Sequence, residues 1–212
     1  MTKSEQAVGL IQRMIEQGEL APGSMVSESK LAELTGIGRT PIREAIQRLA
    51  LARLIRVHPS KGLEIPGLSV DDQLSALEVR RAVEVLAVEL ACERANESQR
   101  ATMRNIAAML DRQFSLRDYT ETVRQTHSLI IEAAHNPYIG ATMLPLQSLS
   151  RRFWLTHIRD EQNEIRRGGG LHRGILIAIA QQDGGAAKAA SLALNDYLVE
   201  FAFAIISKRT RT

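Results

Sequence analysis

The chain has 212 residues, of which 44% are apolar and only 4% aromatic, and its formal net charge is +3. This length bounds it to one or two domains, and a mixture rich in Ala and Leu favours helices. No apolar run reaches the ~18 residues of a membrane span, and the start lacks the apolar region of a signal peptide. A lone Cys92 excludes an internal disulfide, so we expect a soluble protein in the reducing cytoplasm, with Cys92 buried as a small hydrophobe.

Three helices are predicted at the N-terminal end. Apolar residues at helical spacing predict the first over residues 5–18, where Gly18 ends it. The second is expected over residues 28–35, because Ser27 is a good N-cap and Gly36 is a typical stop. Pro41 suits the first position of a third helix, which we expect to reach about Ala52.

The third predicted helix has one apolar and one polar face. The apolar side chains recur at the spacing of a single buried stripe, namely Ile42, Ala45, Ile46 and Leu49. The opposite face carries Arg43, Gln47 and Arg48, with Arg39 and Thr40 at the N-terminal end. Two short helices joined by a Gly-containing turn, the second with a basic outer face, are typical of a helix-turn-helix. Arg39 and Arg43 would then read base edges or phosphates in the major groove.

Charge is concentrated around this motif. Between Lys30 and Lys61 there are seven basic side chains against two acidic ones, a net charge of +5. Such a patch is the electrostatic footprint of a phosphate-backbone binder, although charge by itself does not exclude an ordinary solvated basic face.

A small hairpin is predicted directly after the third helix. Residues 54–58 and 63–65 alternate apolar and polar side chains as half-buried strands do, and residues 59–62 form a turn. This arrangement is typical of a wing, whose tip residues Lys61 and Gly62 could reach the DNA backbone or minor groove. We expect His58 on the solvent side of its strand and assign it no role.

These motifs together resemble the head of the GntR family of transcriptional regulators. The resemblance rests on residues 18–23, residues 31–45 with their Gly38-Arg39-Thr40-Pro41 stretch, and residues 59–62. It implies a winged helix-turn-helix in which Arg39, Thr40, Arg43, Lys61 and Gly62 contact DNA. A further family contact falls near Ser29 and Lys30, where Lys30 is our candidate. Gly38 replaces the family's usual Ser or Thr, so a hydroxyl that contacts phosphate is absent.

The rest of the chain is predicted to be helical. Pro66-Gly67 is the predicted linker, so we divide the chain into residues 1–67 and 68–212. The predicted helices span about residues 70–95, 97–112, 116–134, 137–158, 160–182 and 185–207. The glycine triplet at 168–170 is unfavourable inside a helix, so we expect a loop or kink before Leu171.

This part resembles the FCD domain, the helical effector domain of the FadR-like branch of the GntR family. The residues that carry the resemblance are Glu78 to Glu84, the stretch from His127 to Pro137, and the stretch from Leu171 to Leu176. It implies a small carboxylate or sugar-acid effector and a homodimer. Arg80 is the candidate carboxylate clamp, because its planar fork matches the anion, and His127 and His172 are candidate polar anchors of a metal-free pocket.

The same resemblance implies a divalent metal site made of an Asp, a His four residues later, and two further His residues. His127 and His172 occupy two of these positions, while Val123 and Leu194 stand at the other two. Zinc needs three or four protein ligands, so no metal site is assigned. Zn, Ni or Mn could bind His127 and His172 only if another residue completed the set; Glu121, Gln125 and Asn195 are candidates, none at a pattern position.

The predicted fold is therefore mainly α, with a winged helix-turn-helix followed by an all-α bundle. The predicted function is a sequence-specific, effector-responsive DNA-binding regulator. An enzyme is not expected, because the sequence has no nucleophile–base pair, phosphate loop or complete metal set. A ligand-blind DNA-binding regulator with a degenerate effector domain stays open as the alternative, as does a purely packing role for His127 and His172.

Overall fold

A computed structural model describes residues 2–209, and the side chains of residues 2–206. Within this range the chain has nine helices and three short strands. In chain order they are α1 (Lys3–Glu16), β1 (Met25–Val26), α2 (Glu28–Thr35), α3 (Arg39–Leu51), β2 (Arg56–His58), β3 (Gly62–Glu64), α4 (Val70–Arg94), α5 (Glu97–Met109), α6 (Leu116–Ala133), α7 (Pro137–His157), α8 (Glu161–Ala180) and α9 (Gly184–Arg209). The mainly α fold predicted from the sequence is confirmed.

The chain forms two compact units. The first contains residues up to 69 together with residues 147–156 of α7, and the second contains residues 70–146 and those from 157 onward. The division at residues 67/68 stays a prediction about domain boundaries.

The first unit is built around one apolar core. Ile11 and Ile15 from α1 lie in the same buried cluster as Ile42 and Ile46 from α3, and the strands add Leu63. The three strands form an antiparallel sheet in the order β1-β3-β2. Strand β1 was not predicted, because two residues are too short for an alternating pattern to show.

Local capping explains where α2 and α3 begin and end. The Ser27 side chain accepts a hydrogen bond from the Lys30 backbone N–H, and Gly36 adopts a left-handed φ of 67° at the other end, so α2 has its predicted bounds. Helix α3 begins at Arg39, two residues earlier than expected, with Gly38 as N-cap. Pro41 therefore occupies the third helical position, which tolerates proline because the first turn's N–H groups have no intrahelical partner.

In the second unit α9 packs along α4 and α8, α8 packs on α5, and α6 contacts α4, α5 and α8. The expected break at residues 168–170 is wrong, since α8 is continuous from Glu161 to Ala180. Gly168 and Gly169 are needed for close packing: a Cβ on Gly168 would lie 2.1 Å from the Tyr119 hydroxyl oxygen, and one on Gly169 would lie 3.2 Å from the Leu110 carbonyl oxygen.

One helical stretch of the described chain, Gly184–Ile206 in α9, is long and apolar enough to cross a membrane by length and composition. The sequence reading missed it because a few polar residues interrupt the apolar run. About a third of its most apolar window is buried, 33%. This stretch packs on α4 and α8.

Candidate DNA-binding surface and effector site

The recognition face of α3 is exposed as predicted. Ile42 and Leu49 are buried in the core of the first unit, while Arg39, Thr40 and Arg43 on the other side are exposed. The first turn of α3 carries no acidic residue and no side-chain cap. Its backbone N–H groups and the positive end of the helix dipole are therefore available to a phosphate.

Arg43 is held by α2. Its Nε donates to Oε2 of Glu28 over 2.8 Å, and this hydrogen bond raises the pKa of Arg43. Nη1 and Nη2 form the outer edge of the guanidinium, which is the edge that pairs with guanine O6 and N7. Lys30, the other candidate on α2, is exposed and pairs with Glu33 at 2.8 Å. Exposed pairs of this kind contribute little stability, so Lys30 can exchange Glu33 for a DNA phosphate.

The wing has a glycine-dependent tip. Gly62 has a φ of +105°, and a Cβ there would lie 3.2 Å from the Val26 carbonyl oxygen, so a side chain would be strained at this position. Lys61 closes the turn through its backbone N–H to the His58 carbonyl oxygen at 3.1 Å, and its side chain is exposed. The tip can thus bring a lysine and an uncovered backbone to DNA.

The outer face of the wing carries an ion-pair cluster that the sequence reading missed. His58 Nε2 lies 2.5 Å from Glu64 Oε2, and Arg56 Nη1 lies 3.2 Å from the same oxygen. The hydrogen bond to His58 is the main cause that holds the pKa of Glu64 below its usual value. Period-two alternation places all three side chains on one face, which is the signal that could have predicted the cluster.

The second unit brings His127 of α6 and His172 of α8 together. Their Nε2 atoms are 3.3 Å apart, and both side chains are buried. Nδ1 of His172 lies 2.7 Å from the Gly168 carbonyl oxygen, which can only accept. With both rings neutral, His172 must donate from Nδ1 and accept at Nε2, so His127 donates from its Nε2.

Tyr119 completes this cluster and was not singled out from the sequence. It stands eight residues before His127, which places both on one face of α6. Its ring meets that of His172 edge-on, with centroids 6.5 Å apart, and its hydroxyl packs over Gly168. Burial raises the pKa of Tyr119, so the phenol stays protonated. The spacing from His127 was the available signal.

The remaining positions of the implied metal pattern do not supply ligands. Val123 and Leu194 are buried apolar residues. Asn195 donates its amide N–H to the Leu77 carbonyl oxygen at 3.0 Å, and Glu121 pairs with Arg124. Over the part of the chain that the structure describes, no group of three or more His, Cys, Asp or Glu side chains could hold a metal. These residues do not fit a closed zinc site.

Arg80 lies on α4 with 2% of its side chain exposed. Its Nε and Nη2 donate to Oε1 of Glu84, one turn along the helix, over 3.1 and 2.8 Å. The predicted carboxylate clamp therefore already binds a carboxylate of its own chain. Two predicted effector residues, His127 and His172, meet each other, whereas Arg80 is paired with Glu84.

Comparisons with known proteins agree with this architecture. Residues 75–196 match the model of the FCD domain, and residues 3–65 match that of the bacterial regulatory proteins of the gntR family. The chain is 27% identical to the galactonate operon transcriptional repressor of Escherichia coli, over 92% of this chain and 94% of that protein. It is 28% identical to the uncharacterized HTH-type transcriptional regulator YdhC of Bacillus subtilis, over 61% of this chain and 59% of that protein. In that comparison it spans about three fifths of the relative's length.

Among solved structures, E. coli McbR/YncC superposes with a TM-score of 0.77 at 17% identity, over 97% of this chain and 99% of that one. This likeness shows a shared fold.

Proposed function

Because this chain belongs to the GntR family of bacterial regulatory proteins, in the FadR-like branch that carries an FCD domain, we propose that it binds operator DNA as a homodimer. A small carboxylate bound in the helical domain lowers or raises the protein's affinity for that DNA. The chain is a DNA-binding transcriptional regulator and not an enzyme. The observation that carries the proposal is the exposed basic face of α3 in a unit that also presents Lys61 at the wing tip.

The exposed residues of α3, α2 and the wing are the proposed DNA contacts. Helix α3 enters the major groove with its N-terminal end first. Arg43 offers Nη1 and Nη2 to a guanine while Glu28 keeps its Nε, and Arg39 and Thr40 lie at the helix start, where backbone N–H groups bind phosphate. Lys61 and Gly62 contact the adjacent DNA backbone or minor groove, and Lys30 contacts a flanking phosphate.

A homodimer matches the two half-sites of a palindromic operator. Helix α4 supports this assembly, because it is apolar on two sides. One side packs inside the second unit through residues such as Leu77 and Val88. The other exposes Val79 and Leu86, seven residues apart and each 46% accessible. A paired copy of α4 would remove these side chains from water.

The effector site centres on His127, His172 and Tyr119. The two imidazoles can give up their mutual hydrogen bond and bind an anionic oxygen instead. When both rings are protonated, each donates one hydrogen bond to it from Nε2. Arg80 can join them if the effector competes with Glu84 for its guanidinium. The loss of polar residues at positions 123 and 194 favours one alternative, a ligand-blind regulator whose effector domain is degenerate. The family's setting implies that the protein acts in the cytoplasm.

The DNA-binding proposal can be tested without knowing the operator. DNA is selected from a random-sequence library by the wild-type protein, and affinities for the selected site are then measured by fluorescence anisotropy. Loss of a bidentate base contact costs about 1–3 kcal/mol, so Arg43→Ala should weaken binding roughly 5- to 150-fold. Arg112→Ala, which removes an exposed arginine from the second unit, is the matched control. If the wild type selects no site, or Arg43→Ala binds like the control, the assignment is wrong.

The effector proposal is tested by a thermal-shift screen of small carboxylic acids, with and without Zn²⁺ or Ni²⁺ and with a chelator control. A ligand at 100 times its Kd contributes about 2.7 kcal/mol, which moves the Tm of a chain this size by roughly 5–10 °C. A chelator-insensitive shift that His172→Phe abolishes supports the metal-free pocket. A shift that requires metal would mean that other residues complete the ligand set. No shift with any acid or metal favours the ligand-blind alternative.

A further inference from the structure

Helix α7 contributes to both units. Residues 137–146 group with the second unit, whereas residues 147–156 group with the first, which contains the DNA-binding elements. Pro145, inside the helix, lies just before this change. Proline removes a backbone N–H from the helical ladder, which makes the position a natural bending point. The second half of α7 is thus packed as part of the DNA-binding unit.

The carboxylate of Glu16, the last residue of α1, accepts hydrogen bonds from this half-helix. Arg151 lies 3.0 Å from Glu16 Oε1 through Nη2, and the Ser148 hydroxyl donates to the same oxygen. Gln12 on α1 donates to it over 3.0 Å. Only about a tenth of each side chain of the ion pair is exposed, 10% for Arg151 and 9% for Glu16. Low accessibility and three donors make this interaction stronger than a surface pair.

The neighbouring Arg152 adds a second tie. Its Nη2 donates to the carbonyl oxygen of Pro66, which follows the wing. The guanidinium is almost fully buried, and that burial lowers the pKa of Arg152. The second half of α7 therefore holds the end of α1 and the residue that follows the hairpin.

Helix α1 connects this contact to the recognition helix. Ile11 and Ile15 of α1 share one buried cluster with Ile42 and Ile46 of α3, and the two helices pack directly. Packed interiors transmit displacements because they have few voids. A shift of α1 at Glu16 must therefore move or loosen α3.

We propose that Glu16 and Arg151 are a positioning pair, through which the second half of α7 sets the placement of α3 for DNA binding. The inference rests on the proposed function and adds to it a pair of residues that positions the recognition helix. Neither side chain lies on the exposed face of α3, so the pair acts through the packing of α1.

The test compares Glu16→Gln, Arg151→Met and the double variant with the wild type, on the DNA selected by the wild-type protein, over a salt series. Each single variant should weaken binding at least about fivefold, the lower end of coupling between sites. The double variant should lose no more than the worse single variant, because both remove one interaction. The slope of log K against log salt should stay that of the wild type, whereas losing a phosphate contact would change it by about one.

Arg167→Met is the matched control, since it breaks the exposed ion pair with Glu200 in the second unit, and it should bind DNA like the wild type. Circular dichroism and Tm establish that each variant is folded; Ser148→Ala, which removes one donor to Glu16, replaces any variant that is not. Affinities within twofold of the wild type, additive losses, or a changed salt slope would each overturn the inference. Absence of any selected DNA would instead refute the proposed function.

Discussion

At the scale of single residues, Arg43 stands out because Glu28 orients it before any DNA is present. The hydrogen bond from its Nε to Glu28 leaves Nη1 and Nη2 at the outer edge of the side chain. An arginine held in this way loses less rotamer freedom when it binds a base. The carboxylate also repels phosphates that approach without the matching base edge, so it contributes to specificity as well as to placement.

Replacing Glu28 with Gln should therefore separate specific from non-specific binding. We expect affinity for random DNA to rise, because one negative charge is removed from the surface. We expect affinity for the selected site to fall or stay level, so the specificity ratio should drop by roughly tenfold, or about 1.4 kcal/mol. Anisotropy titrations against both DNAs measure the ratio, with Glu93→Gln on the exposed side of α4 as control. An unchanged ratio would show that Glu28 has no part in recognition.

Cys92 illustrates a residue whose role is packing. It is a free, buried thiol on α4, and desolvation raises its pKa to about 11. Because the thiolate is the reactive form, less than a thousandth of the thiol is ionised at pH 7.5 by that shift. We expect an aromatic disulfide reagent to leave Cys92 unmodified in the native protein and to titrate one thiol after unfolding in denaturant. Rapid labelling of the native protein would contradict this buried placement.

At the scale of elements, the glycine triplet in α8 shows packing overriding helix propensity. Glycine costs about 1 kcal/mol in a helix relative to alanine, which is why the sequence predicts a break. The structure keeps the helix because the missing Cβ atoms let Tyr119 and the end of α5 approach closely. That approach also positions the Gly168 carbonyl oxygen. Because this oxygen can only accept a hydrogen bond, it fixes a proton on Nδ1 of His172.

Two alanine substitutions in this triplet should have opposite effects. Gly168→Ala places a Cβ against the Tyr119 hydroxyl, and overpacking of this kind typically costs about 1–3 kcal/mol. Gly170 has nothing within 4 Å of an added Cβ, so Gly170→Ala should stabilise the helix by about 0.5–1 kcal/mol. Urea unfolding of both variants checks the signs. Equal effects at the two positions would mean that Tyr119 does not pack against Gly168.

At the scale of the whole molecule, the second apolar face of α4 predicts the assembly. Sedimentation should give twice the chain mass of 23.5 kDa for the wild type, and Leu86→Asp should shift it towards the monomer, because a charge in the middle of an apolar interface is left without a partner. Met109→Asp alters a similarly exposed apolar residue on α5 and should leave the mass unchanged. A dimer that survives Leu86→Asp would place the interface on another face.

The sequence by itself determined the features that depend on neighbouring residues. Helix α2 begins after Ser27 and ends before Gly36. The apolar stripe of α3 is buried, so the opposite side is exposed, and the turn at residues 59–62 connects the two strands of the wing. These features are readable because caps, periodicity and turns act within a few residues of the chain. For the same reason the sequence predicted the candidate DNA contacts and, by resemblance, both domains.

Only the tertiary structure decided the features that join distant residues. His127 and His172 are 45 residues apart in the chain, yet their Nε2 atoms lie within hydrogen-bond distance. Glycines that predict a break instead admit Tyr119, and the second half of α7 packs with α1 through Glu16 and Arg151. Such contacts depend on which helix faces meet, and short-range propensity carries no information about that choice because packing across the core overrides it.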